Sequence, residues 1–203
     1  MKSYKRTVHI IGDSISIQYG SYLEKYIEKD FVYSRKEGKL GDLDLPEGAN
    51  AGDSSMVLDY LKKCELGKNR WDFIIINCGL HDIKIYNESY QIDIYQYERN
   101  LKQIFKLTKI LSHKTIWVNT SPVIDHLHNS LKSEFKRFNK DVEKYNEVAE
   151  KIAISNHIPI IDLNGFCKSL GCEEIYQDHV HFKPEIQKLQ AAFIAGHLKV
   201  LLL

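Results

Sequence analysis

The chain has 203 residues, 43% hydrophobic and 27% charged, with a formal net charge of +1. That length suits one domain over residues 1–203 with a substantial core, and the even charge balance, without a basic stripe, gives no reason to expect nucleic acid. The apolar run near the N-terminus stops at Gly12, short of the roughly 7–15 apolar residues of a signal peptide or the about 20 of a membrane span. Cys64, Cys78, Cys167 and Cys172 form no C-x-x-C pair and read as free thiols. A cytoplasmic protein without a membrane span is the expectation.

Short β-rich runs alternate with helical periods. The first strand is expected at Thr7–Ile11, followed by Gly12-Asp13-Ser14 and a helix with Ile15, Tyr19, Tyr22, Leu23, Tyr26 and Ile27 on one face. The second strand is expected at Phe31–Ser34. An irregular stretch, Arg35–Gly52, leads to a helix carrying Val57, Tyr60, Leu61 and Cys64. The third strand, Phe73–Asn77, is followed by an irregular Gly79–Asp93 and a helix with Ile94, Tyr97, Leu101, Ile104 and Phe105. A fourth strand at Thr115–Asn119 precedes a helix with Val142, Tyr145, Ala149 and Ile152; a fifth at Ile158–Asp162 precedes a last helix from Pro184, a residue suited to a first helical turn.

Three of these strands are nearly continuous apolar runs, as in parallel sheets covered on both faces. Strand–helix alternation implies right-handed crossovers. The fold class expected is α/β: a three-layer α/β/α sandwich around a doubly wound, mainly parallel five-stranded sheet. In such sheets ligands bind beyond the carboxyl ends of the strands. Four polar clusters fall there: Gly12-Asp13-Ser14, the segment ending at Gly52, Gly79-Leu80-His81-Asp82, and "DHVHF" with Asp178 and His181.

These residue types suit acyl transfer. A serine hydroxyl needs a base, histidine is the usual one, and a carboxylate on the second ring nitrogen fixes the tautomer. Asp178 and His181, three apart, can supply both from one segment. Ser14 opens a predicted helix where free N–H groups gather, and Gly52 precedes another.

"IGDSIS", "NAGDSS", "NCGLHD" and "DHVHF", in this order, resemble the blocks of the SGNH (GDSL) hydrolase superfamily, whose fold is flavodoxin-like. The resemblance runs from Gly12 to the final helix. It implies that Ser14 is the nucleophile, His181 the base and Asp178 its partner, with an oxyanion hole from Ser14 N–H, Gly52 N–H and residue 81. The family usually has asparagine at that last position, in a G-x-N-D block; here it is His81, followed by the expected Asp82. Asparagine donates at every pH, whereas neutral imidazole donates from one nitrogen only. Asp13 is expected to serve the turn and Asp82 to support the block.

The function expected is a serine esterase acting on a small acyl ester, acetyl and carbohydrate-linked among the candidates, without cofactor or metal. No cap domain is evident, so an open groove is expected. Acyl transfer to another alcohol would use the same residues, and a non-catalytic binding module could keep the same fold. Ser14 alone would read as a helix cap. The pairs His126/His128 and His179/His181 raise metal binding, but they follow different strands, and a zinc site needs three or four convergent ligands. "GLHD" and "HVH" also resemble metallophosphoesterase blocks, yet the D-x-H expected at the end of the first strand is absent from "VHIIGDS". Tyr97 is expected in the core; Tyr86, Tyr90 and Tyr95 are loop or helix-start residues. The oligomeric state is not legible.

Overall fold

The structure, a computed structural model, describes residues 5–39, 43, 45–132 and 134–202. Chain order begins β1 (Arg6–Ile11), α1 (Ser14–Ile27), β2 (Phe31–Arg35), α2 (Ser54–Leu66) and β3 (Trp71–Ile76). A hairpin of β4 (Ile85–Tyr86) and β5 (Ser89–Tyr90) follows, then α3 (Ile94–Leu111), β6 (Ser112–Val118), α4 (Asp125–Leu131) and α5 (Asn139–Ser155). β7 (Ile160–Ile161), α6 (Leu163–Leu170) and α7 (Pro184–Val200) complete it.

The main sheet has the order β2-β1-β3-β6-β7, and every pairing is parallel. Strand order therefore reverses between β1 and β3, which creates a crevice at their carboxyl ends. α1 packs with α7, while α2, α3 and α5 pack in sequence against one another. Phe73, Ile74, Ile75 and Ile76 are all buried, because helices cover both faces of β3. Full burial of each such side chain contributes about 1.5–3 kcal/mol. The edge strand β2 instead leaves Val32 exposed. The opposite edge, β7, has only two residues, which limits its capacity to pair with another chain.

The five expected strands are present with shifted ends. The segment Gly79–Asp93, expected to be irregular, contains the β4–β5 hairpin. Its turn residues Asn87 and Glu88 have φ of 46° and 65°, as a two-residue type I′ turn requires. Ile85 and Lys136 exchange N–H···O bonds of 2.9 and 3.0 Å, extending the hairpin by one bridge. The short helices α4 and α6 also lie where no element was expected. Part of the Arg35–Gly52 stretch falls outside the described residues. Tyr97 is fully buried, as expected, and its hydroxyl donates to the Cys78 carbonyl at 3.0 Å. The four cysteines are free. No described helix is long and apolar enough to cross a membrane.

Two glycines permit a direct test. Gly79 has φ of 154°, and a Cβ there would lie 2.2 Å from Thr120 Oγ1. Gly196 lies within α7 with nothing within 4 Å of an added Cβ. Chemical denaturation of Gly79→Ala is expected to show a loss of about 1–3 kcal/mol, from strain and overpacking. Gly196→Ala should gain about 0.5–1 kcal/mol from helix propensity.

Candidate active site

β1 ends at Ile11, and the chain turns at once into α1. Asp13 is the N-cap: its Oδ1 accepts the Ile15 N–H at 3.0 Å, while its carbonyl accepts from Ser16 Oγ at 2.7 Å and Ile17 N at 3.2 Å. Asp13 thus ties the turn to the start of α1. Ser14 becomes the first helical residue, where the N–H has no intrahelical acceptor. Burial raises the Asp13 carboxyl pKa, partly opposed by the Ile15 N–H bond.

His181 approaches Ser14 from the far end of the chain. Its Nε2 lies 3.0 Å from Ser14 Oγ, and its Nδ1 lies 2.8 Å from Asp178 Oδ2. Asp178 Oδ1 accepts the backbone N–H groups of Val180 and His181 at 2.9 and 2.8 Å. The loop is tied by Gln177 N to His181 O at 2.7 Å and by Lys183 N to Ile175 O at 3.0 Å. Burial opposes ionisation of Asp178, but hydrogen bonds from the His181 ring and the two amides outweigh it and lower its pKa to about 2. Asp178 is therefore a carboxylate near neutral pH, and it fixes the Nδ1–H tautomer of His181. Such a chain can take the proton from the Ser14 hydroxyl.

Gly52 and His81 reach the same rim with their donors differently committed than expected. Gly52 has φ of 72°, and its N–H donates to Asn50 Oδ1 at 2.9 Å. The other end of that amide, Nδ2, donates to Leu43 O at 3.0 Å and lies 3.4 Å from His81 Nε2. These contacts orient the amide with Nδ2 towards His81 Nε2, so a neutral His81 that takes this bond accepts at Nε2 and carries its proton on Nδ1. Asn50, buried between the two positions, was missed in the sequence. Its signal was the spacing Asn50-Ala51-Gly52, in which an Asn side chain bonds backbone two residues on.

Asp82 is fully buried and supports this rim. Its Oδ1 accepts the Ser54 N–H at 2.9 Å, at the first residue of α2, and its carbonyl accepts Ile92 N at 3.1 Å. Burial, reinforced by repulsion from Asp53, outweighs the Ser54 hydrogen bonds and raises its pKa to about 8. Arg137, also buried, donates from Nε to the Leu80 carbonyl at 2.7 Å and so holds the residue preceding His81. Nothing in the sequence marked Arg137.

The two H-x-H pairs diverge. His126 is exposed and pairs with Glu173, whereas His128 is buried on α4 with its Nδ1 2.9 Å from His179 Nδ1. Asp178, His179 and His181 offer donor atoms within 4.8 Å of one another. Those of Asp178 and His181 are already engaged with each other and with Ser14, and their spacing is that of a hydrogen-bonded chain. Tyr86 and Tyr90 are partly exposed on the hairpin, Tyr90 donating to Asp141 at 2.9 Å, and Tyr95 is exposed.

This fold has known counterparts. The family model for GDSL-like lipase/acylhydrolase matches residues 8–194, and the chain belongs to that family. Among solved structures, it is similar to a lipase/acylhydrolase from Enterococcus faecalis (18% identity, TM-score 0.73), with 96% of this chain and 95% of that one covered. An acetyl xylan esterase is similar at 15% identity and TM-score 0.70, covering 94% and 98%. An acetylxylan esterase from Geobacillus stearothermophilus matches at 15% identity and TM-score 0.67, covering 98% and 94%. At such identities these structures establish the fold. No curated protein sequence matches the chain.

Asp82 gives a signed pH prediction. Its folded pKa of about 8 lies above the unfolded value of about 3.9. The native state therefore binds more protons between those values, and this group makes stability fall as pH rises through that window. Asp82→Asn keeps an acceptor for Ser54 N–H and removes the ionisation. In denaturation across pH 4–9, the difference between wild type and Asp82→Asn should move steadily in favour of the variant as pH rises; a pH-independent difference would contradict the assignment.

Proposed function

We propose that the chain is a serine esterase that hydrolyses a small acyl ester, such as an acetyl ester of a carbohydrate, through an acyl-enzyme on Ser14. The observation that carries this reading is the continuous hydrogen-bonded chain Ser14 Oγ–His181–Asp178, with links of 3.0 and 2.8 Å. Family membership supports the reaction class. The names of the two acetylxylan esterases, which belong to those proteins, support the choice of acyl group and alcohol.

His181 Nε2 takes the Ser14 proton as Oγ attacks the ester carbonyl. The resulting imidazolium is stabilised by the Asp178 carboxylate. It then protonates the leaving alcohol oxygen as the C–O bond breaks, leaving the acyl group on Ser14 Oγ. Water attacks next, His181 accepts its proton, and the acid departs as the proton returns to Ser14. Asp178 holds the ring throughout and stays ionised.

The oxyanion that forms in each half-reaction needs donors. Ser14 N–H is one, at the positive end of α1. Gly52 N–H is a second, and it serves by leaving or sharing its bond to Asn50 Oδ1. Residue 81 is the third position. While Nε2 accepts from Asn50, His81 donates there only after a change of tautomer, protonation or rotation. In this reading the imidazole is a poorer donor than the usual asparagine. The mechanism needs no cofactor, and one domain spanning residues 1–203 is sufficient for it.

Two variants test the reading with a short-chain aryl acetate. Ser14→Ala should lower kcat by a factor on the order of 10⁴ or more while thermal unfolding stays close to wild type. Near-native turnover would overturn the serine mechanism. His81→Asn should keep or raise kcat/KM. A loss beyond about a hundredfold exceeds the value of one oxyanion donor and would give His81 a different role.

A further inference from the structure

The esterase reading uses His181 and leaves His179 and His128 without a task. Both are buried, at 6% and 0% exposure, and they come from separate segments. Their Nδ1 atoms are 2.9 Å apart, with ring centroids 4.8 Å apart and planes tilted by 60°. Two imidazole nitrogens can approach so closely only as N–H···N: one ring carries its proton on Nδ1 and the other presents a lone pair. We propose that His128 and His179 are a positioning pair, in which one shared proton fastens the Asp178–His181 loop to α4 and a second proton releases it. The pair is a feature of the protein itself; its effect on turnover rests on the serine-esterase reading.

The surroundings define when the second proton can enter. His179 directly follows Asp178, and its ring stands 5.8 Å from that of His181, edge to face. His128 packs against Phe135 at 5.5 Å. Phe135 carries Lys84 on its ring at 4.4 Å and Arg137 at 4.9 Å, bringing two cations from the hairpin side and from the segment preceding α5. On α4 itself, His126 is turned to Glu173. Lys84, Arg137 and the His181 imidazolium of the reaction oppose a doubly protonated pair; the Asp178 carboxylate favours it. Two like charges on nitrogens already in contact would repel directly. A second proton on the pair therefore replaces the N–H···N bond with repulsion and separates the rings. Separation frees the residue next to Asp178, while Ser14 stays fixed on α1. A displacement of about 1 Å between reacting groups can cost on the order of a hundredfold in rate.

The pair can be read without reference to activity. Long-range proton–nitrogen spectra of histidine-labelled protein should show complementary tautomers for His128 and His179 at neutral pH. The two should lose that asymmetry together on acidification, and His128→Gln should change the His179 signals. Identical tautomers, or a His179 unaffected by His128→Gln, would overturn the pair.

Its role in positioning is read from the acid limb of kcat/KM on an aryl acetate and from the rate of Ser14 labelling by a fluorophosphonate. Wild type should lose activity more steeply than one proton allows, and His128→Gln should return the limb to unit slope. His128→Leu, which cannot accept or donate, should lose about tenfold to a hundredfold across the whole range. A unit slope in wild type and His128→Gln alike would overturn the positioning role even with complementary tautomers. Complementary tautomers in a protein that neither turns over esters nor labels at Ser14 would support the pair and refute the esterase reading instead.

Discussion

The hydrogen bond between His181 Nε2 and Ser14 Oγ joins residues 167 apart in sequence, and the surrounding fold serves to keep it short. Parallel strands bring every carboxyl end to one rim, and the reversal of strand order at β1 opens the space where the ends meet. Each approaching loop is pinned close to its functional residue. Ala51 N donates to Gly12 O at 3.0 Å and Asn77 N to Ile11 O at 2.9 Å, while Arg35 bridges Ser16 O and Ala49 O at 3.0 and 3.3 Å. The rim is a lattice of backbone groups rather than a set of independent loops.

Carboxylates at this rim are tuned by their surroundings. Asp178, half-exposed and holding three N–H donors, is kept ionised. Asp82, fully enclosed and close to Asp53, is driven towards the neutral acid. The same local sequence also meets different fates. Gly-Asp-Ser occurs at Gly12-Asp13-Ser14 and again at Gly52-Asp53-Ser54, and in both the aspartate caps a helix and accepts from the N–H two residues on. Yet Ser14 Oγ faces His181, whereas Ser54 Oγ accepts from Asn100 at 2.9 Å and its N–H serves Asp82. Helix capping explains the aspartate in both places; the partner of the serine hydroxyl distinguishes them.

That contrast marks what was legible beforehand. The strands were, because continuous runs such as Phe73–Ile76 have no alternative to burial on both faces. The expectation that Ser14, Asp178 and His181 meet is matched by their distances, because strand ends and segment order constrain the loops between them. Side-chain networks between loops were not legible. Asn50 links Gly52 to His81 through an amide whose orientation depends on the fold, and Arg137 reaches Leu80 from another segment. The hairpin was hidden because its Asn87-Glu88 turn lacks the usual glycine. The H-x-H pairs were set apart as following different strands, and the rim then placed one member of each in contact. Gly52 is a case where position was foreseen and present bonding was not: its N–H is held by Asn50.

The central claim is that Ser14 carries the acyl group between the two halves of the reaction. Intact-mass analysis of protein quenched in acid during turnover of an activated acetyl ester tests it most directly. One acetyl group per chain, located on Ser14 by peptide mapping, is the expected result. Sustained turnover without a covalent adduct on Ser14, under conditions where deacylation is the slow step, would contradict the account.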